Sequence, residues 1–221
     1  MNGDENNIRI IEEMMLKVRR LARERDASVH DIVNEALDGF LGFHDTGVNL
    51  FDVVHSIERI LSGTEYFNIN VDLQNFAVIV KSPIRYVYRP EIKYRIAIAQ
   101  NGGSGGTGAS AVKINAALRT HDIDALRCFS AFSDIWIALE ARYMNPRAQA
   151  EYICDAGYFE RKAYIPARGR FGGAQEIGSA ISSYLTVFDK LFKYCYYHPA
   201  DTGAEIERMY REHVRNGDLK I

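Results

Sequence analysis

Apolar side chains recur at the spacing of a helix face twice within the first 41 residues. Met14, Met15, Val18, Leu21 and Ala22 follow the i, i+3, i+4, i+7 rule with Arg19, Arg20, Arg23 and Arg25 among them, which predicts an amphipathic helix over 12–25. After a break at Asp26 and Ala27, Ser28 is a good N-cap, and Ile32, Val33, Ala36, Leu37, Phe40 and Leu41 predict a second helix. Ahead of both, Ile8 and Ile10 alternate with Asn7 and Arg9, the period of two of a very short strand. A strand and two short helices between Glu5 and Leu41 bury too little apolar surface to stand alone, so a second copy or the rest of the chain has to cover them.

The pattern restarts after Gly42–Gly47, the expected linker. Leu50, Val53, Val54, Ile57, Ile60 and Leu61 define a third helix closed near Gly63. Strands are expected at about 67–71, 76–81, 85–88 and 94–99, the last with Ile92, Tyr94, Ile96 and Ile98 alternating with Lys93 and Arg95, and a turn at Arg89–Pro90–Glu91. The glycine-rich run 101–110 contains no GxxxxGK[ST] and has the composition of a plain connector. Val112, Ile114, Ala116 and Leu118 predict one more strand, followed by helices over 122–143, 146–156, 175–197 and 203–214, the last two separated by Pro199. The aromatics Tyr184, Phe188, Phe192, Tyr196 and Tyr210 suit a core or an interface. The expected fold class is α+β: a strand-helix-helix unit over 1–42, then a mixed antiparallel-sheet and helix domain with a helical C-terminus over 48–221.

Composition narrows the classes. An apolar content of 47% is ample for a packed core, and no stretch approaches the roughly 18 apolar residues of a membrane span. The polar, acidic start MNGDENN lacks the apolar region of a secretory signal, and Cys128, Cys154 and Cys195 form no CxxC pair, so a soluble protein of a reducing cytoplasm is expected. The six histidines are scattered, and HExxH is absent, so no catalytic residue, metal or cofactor is expected. The net charge of -2 hides an asymmetry: residues 81–119 hold Lys81, Arg85, Arg89, Lys93, Arg95, Lys113 and Arg119 against Glu91 alone. Strand alternation would gather these bases on one sheet face, as a polyanion footprint or as an ordinary solvated surface. The run from Arg161 to Gly173, with Arg168 and Arg170, reads as a surface loop before a helix, where an anion is the functional alternative.

The segment NNIRIIEEMMLKVRRLARERDASVHDIVNEALDGFL resembles the ribbon-helix-helix (Arc/MetJ/CopG-like) family of DNA-binding regulators. The resemblance rests on the alternating Ile8 and Ile10, the Glu12–Glu13 helix start, Leu21–Ala22, and Ser28 followed by Ile32–Val33 and Glu35–Ala36–Leu37. It implies a homodimer whose paired strands enter the major groove of double-stranded DNA, with Ile8 and Ile10 toward the dimer core. It leaves Glu5, Asn7 and Arg9 outward; Arg9 suits guanine and Asn7 adenine, while Ser28, Val29 and His30 at a helix start suit a phosphate. Arg85, Lys93 and Arg95 of the later patch are the further candidate DNA contacts. Asp26 stands where the family usually has glycine, and residues 1–41 carry six basic against nine acidic side chains. The rival expectation is a protein-interaction or antitoxin-like module that uses the first unit only to dimerise. For the second domain the sequence leaves three roles open: sensing a small-molecule effector, driving higher oligomerisation or binding a protein partner.

Overall fold

The computed structural model describes residues 12–25, 27–33, 36, 49–84, 90–100, 110–144, 150–165, 173–199 and 202–221. The chain divides into two compact units, Met1–His44 and Asp45–Ile221. In the first, α1 spans Glu12–Glu24, and residues 29–33 are helical after Ser28. Ile8, Ile10 and the strand expected around them lie outside the described residues, as do the 85–88 strand and the glycine-rich connector over 101–109.

The second unit is mixed α+β. Its helices are α2 (Leu50–Ser62), α3 (Ile123–Tyr143), α4 (Ala174–Tyr197) and α5 (Thr202–Asn216). Its strands are β1 (Asn68–Asp72), β2 (Ala77–Pro83), β3 (Glu91–Gln100), β4 (Ser110–Arg119), β5 (Ala150–Asp155) and β6 (Tyr158–Ile165), in the sheet order β1-β2-β3-β4-β6-β5. Every neighbouring pair is antiparallel.

Local chemistry explains the helix starts. The Asn49 side chain accepts a hydrogen bond from Phe51 N at 2.9 Å, and Asp122 accepts from Asp124 N and Ala125 N, so both helices begin on a satisfied cap. Leu50, Val53, Val54, Ile57 and Leu61 of α2 are buried as expected, but Ile60 sits on the far side at 38% exposure. The helix over 146–156 is not observed: 150–155 is strand β5, and the expected loop from Arg161 is instead the second half of β6. Two features hid this hairpin. Strand β5 is an edge strand with half-buried rather than buried side chains on its inner face, and β6 places Arg161 between Phe159 and Ala163, which breaks the apolar alternation. Gly157 makes the turn between them at φ 71°, where a side chain would be strained.

The core lies between one sheet face and the four helices. Val78, Val80, Ile92, Tyr94, Ile96, Val112, Ile114, Ala116 and Phe159 line that face. Helix α4 packs against α2, α3 and α5 and is apolar over most of its circumference, as a helix buried on several sides must be. Phe188 at its centre lies within 5.0–6.5 Å, ring to ring, of Tyr94, Phe129, Phe132, Trp136 and Phe159, so one side chain joins the sheet to two helices. A polar tie runs beside it. Buried Asp189 accepts from the Tyr94 hydroxyl at 2.9 Å and pairs with Lys193 at 2.8 Å, and Lys193 also reaches the Ser82 hydroxyl at 2.7 Å. Cys128 and Cys195, 67 residues apart, meet with sulfurs 3.7 Å apart as free thiols.

Helices α2 and α4 approach closely because Gly178 has no side chain. A Cβ there would fall 2.5 Å from Ser56 Oγ, 2.6 Å from Ser56 Cβ and 3.2 Å from Ile57 N. Gly178→Val is expected to destabilise the protein by about 1–3 kcal/mol in urea unfolding. Gly203→Ala, whose Cβ meets nothing within 4 Å in the first turn of α5, is expected to stabilise by up to about 1 kcal/mol.

Candidate nucleic-acid interface

In the first unit, α1 exposes Arg19, Arg20 and Arg23 on its polar side, while Ala22 and Ile32 are buried. Met15, Val18 and Leu21 are half-buried, and Met14 at 54% and Leu16 at 61% remain exposed. Ser28 caps the following helical turn: its hydroxyl accepts from Asp31 N at 3.0 Å, while the Asp31 carboxylate accepts from Ser28 N at 3.2 Å and from the hydroxyl at 2.7 Å. This is the reciprocal arrangement of a capping box, with Asp in the place of Glu. The hydrogen bond from the Ser28 hydroxyl holds the Asp31 carboxyl below its ordinary pKa. The carboxylate therefore places negative charge at the helix start where Ser28, Val29 and His30 were expected to hold a phosphate, and any phosphate there has Asp31 as a neighbour. Asn7 and Arg9, the expected base readers, lie outside the described residues.

In the second unit the helices cover one sheet face, and the strand alternation sends Lys81, Lys93, Arg95, Lys113 and Lys162 to the other. The register decides which of them stand together. Lys93 is directly opposite Lys81 on β2, and Arg95 is two residues further along β3, opposite Ile79 on one side and Asn115 on the other. Asn68 and Asn70 of β1 continue the same two rows. On the β4–β6 side the bases are neutralised: Lys113 pairs with Glu160 at 2.8 Å and Lys162 with Glu151 at 3.3 Å. Burial works against ionising Glu160, but bonds from Lys113, Tyr158 and Asn115 outweigh it and keep its carboxyl below the ordinary range. Of the described bases in the segment 81–119, Lys113 is ion-paired, while Lys81, Lys93, Arg95 and Arg119 are not, Arg119 standing opposite Glu91. Arg85 and Arg89 lie outside them.

Arg161 has a different place from the one expected. It points to the helix side of the sheet, at 1% exposure, and its Nε donates to Glu140 of α3 at 2.8 Å. The same carboxylate accepts from Trp136 Nε1 at 2.6 Å and from the hydroxyls of Tyr184 and Tyr152. A second guanidinium nitrogen of Arg161 donates to the carbonyl oxygen of Ile221 at 2.7 Å, and the guanidinium lies 4.7 Å from the centre of the Tyr184 ring. Burial opposes the charge of Arg161, yet the facing Tyr184 and Glu140 raise its affinity for the proton overall, and burial beside Glu140 pushes the Tyr184 hydroxyl up as well. Sequence reasoning missed this cluster, although Glu140 stands four residues after Trp136 on the apolar side of α3, and a carboxylate there demands a buried partner.

Among the described residues no group of three or more His, Cys, Asp or Glu is arranged to hold a metal, and no helix is long and apolar enough to cross a membrane. Ser82 and Lys193 are in contact, but Lys193 is ion-paired with Asp189 and so is not a free base for the buried hydroxyl. No family model, no curated protein and no solved structure matches the chain.

Arg161→Leu leaves the Glu140 carboxylate buried without its cation and is expected to cost about 3–5 kcal/mol in urea unfolding. The double variant Glu140→Gln with Arg161→Leu should recover much of that loss, because no buried charge is left over. Additive losses in the double variant would show that the two side chains are not coupled.

Proposed function

We propose that the protein is a DNA-binding transcriptional regulator that acts as a homodimer, with the residues ahead of α1 forming a β-ribbon in the major groove. The observation that carries this reading is the order of elements in the first unit. Alternating Asn7, Ile8, Arg9 and Ile10 precede the amphipathic α1, and a Ser28-capped helical turn follows it, the spacing of a ribbon-helix-helix module. The exposed Met14 and Leu16 and the half-buried Met15, Val18 and Leu21 support the dimer, since they are apolar surface that a second copy would cover. Arg9 and Asn7 read base edges under this proposal, and Ser28, Val29 and His30 lie at the phosphate backbone. The second unit then serves effector binding or higher assembly.

One observation favours a second reading. The Asp31 carboxylate at the helix start, within a segment of six basic and nine acidic side chains, opposes phosphate binding and suits a module that dimerises and binds another protein.

Gel shifts on genomic fragments at two salt concentrations separate the two. The regulator reading expects selective binding by the wild type and a loss of about 10- to 100-fold in selectivity for Arg9→Ala, the discrimination of one bidentate base contact. Absence of binding at low salt would leave the protein-interaction module. Light scattering is expected to give a dimer, and a monomer would refute the ribbon.

A further inference from the structure

We propose that Lys81, Lys93 and Arg95 form a second DNA-contacting surface, one that holds the phosphate backbone and reads no bases. The inference rests on the DNA-binding reading and adds to it the place where the missing positive charge is supplied. On the sheet face of the second unit opposite its helices these three side chains are contiguous. Lys81 and Lys93 are directly opposed across β2 and β3, and Arg95 follows Lys93 on the same face, about 6.8 Å along the strand. Like charges directly opposed across a pair of strands repel, and an anion bridging them removes that repulsion.

Three further observations give the surface its character. First, none of the three bases has an ion pair or hydrogen bond among the described residues, whereas Lys113 and Lys162 on the same face are paired with Glu160 and Glu151. Carboxylates thus neutralise Lys113 and Lys162, while Glu91, on the outward face of β3, stands opposite Arg119 and forms no ion pair with Lys93. Second, the rows continue onto the edge strand β1 as Asn68 and Asn70, both exposed, whose amides donate hydrogen bonds to phosphate without adding charge. Third, the residues paired with Lys93 and Arg95 across the strands carry no negative charge, being Lys81 and Ala117 for the one and Ile79 and Asn115 for the other, and Glu91 bounds the patch at the start of β3. An array of separate cations on an exposed sheet suits an extended polyanion with repeated charges, and the DNA phosphate backbone is that ligand.

The test uses the full chain with Lys81→Gln, Lys93→Gln and Arg95→Gln combined, in filter binding to a random-sequence DNA duplex across a salt series. Losing three phosphate contacts should lower the slope of log affinity against log salt by about 2.7. A control, Arg127→Gln with Lys162→Gln and Arg208→Gln, removes the same net charge from bases that are already ion-paired. It should leave the slope nearly unchanged; an equal fall in the control would show a whole-protein charge effect and overturn the surface. Matching thermal unfolding of both triple variants excludes misfolding.

Arg9→Ala separates the two proposals, since it should lower selectivity about 10- to 100-fold while random-duplex binding persists. A wild type that elutes late from heparin-agarose in a manner dependent on the triple substitution, yet binds no DNA, would overturn DNA as the occupant and point to another polyanion or an acidic protein. Heparin elution unchanged by the triple substitution would overturn the surface itself.

Discussion

A guanidinium at 1% exposure cannot stay charged in an apolar core unless something nearby carries the opposite charge and accepts its hydrogen bonds. For Arg161 that requirement recruits much of the second unit. Glu140 from α3 supplies the charge, Tyr184 from α4 supplies a ring face, and the Ile221 carbonyl accepts from the far side. Tyr152 from β5 and Trp136 from α3 complete the carboxylate's bonds. A polar cluster of this kind is costly to leave half-satisfied, so it favours one arrangement of β5, β6, α3 and α4 over other apolar packings of the same elements. The aromatic side chains around Phe188 provide the bulk of the contact area but have no comparable demand for a particular partner.

With the helices committed to one side of the sheet, the other side is free to carry charge. The same alternation that sends Tyr94 and Ile96 into the core sends Lys93 and Arg95 outward. Lys113 of β4 and Lys162 of β6 are paired with carboxylates; Lys81 and Lys93 face each other, and Arg95 faces Ile79 and Asn115. Net charge summed along residues 81–119 conceals this division, since Lys113 contributes little free positive potential once Glu160 is beside it.

The first unit shows the opposite balance. Its helix start is closed by its own carboxylate, Asp31, which stabilises the turn and makes the site less attractive to an incoming phosphate. Under the proposed function, base recognition ahead of α1 would require phosphate attraction from elsewhere, which is the physical link between that proposal and the proposed second surface.

Much of this architecture was legible from the residues. The cap at Ser28, the helical stripes of α1 to α5 and the alternation of β3 and β4 are local signals, because each depends only on neighbours a few residues away. The α+β class follows from them. Three things were decided only when distant segments met. The β5–β6 hairpin was hidden because Arg161 occupies a core position that only Glu140, 21 residues earlier on another element, makes tolerable. Gly178 is required because Ser56 lies against it, 122 residues away in the chain. The grouping of Lys81, Lys93 and Arg95, and the neutralisation of Lys113, depend on strand register. Residue patterns carry the period of a strand, but which residues face each other across two strands is a property of the assembled sheet.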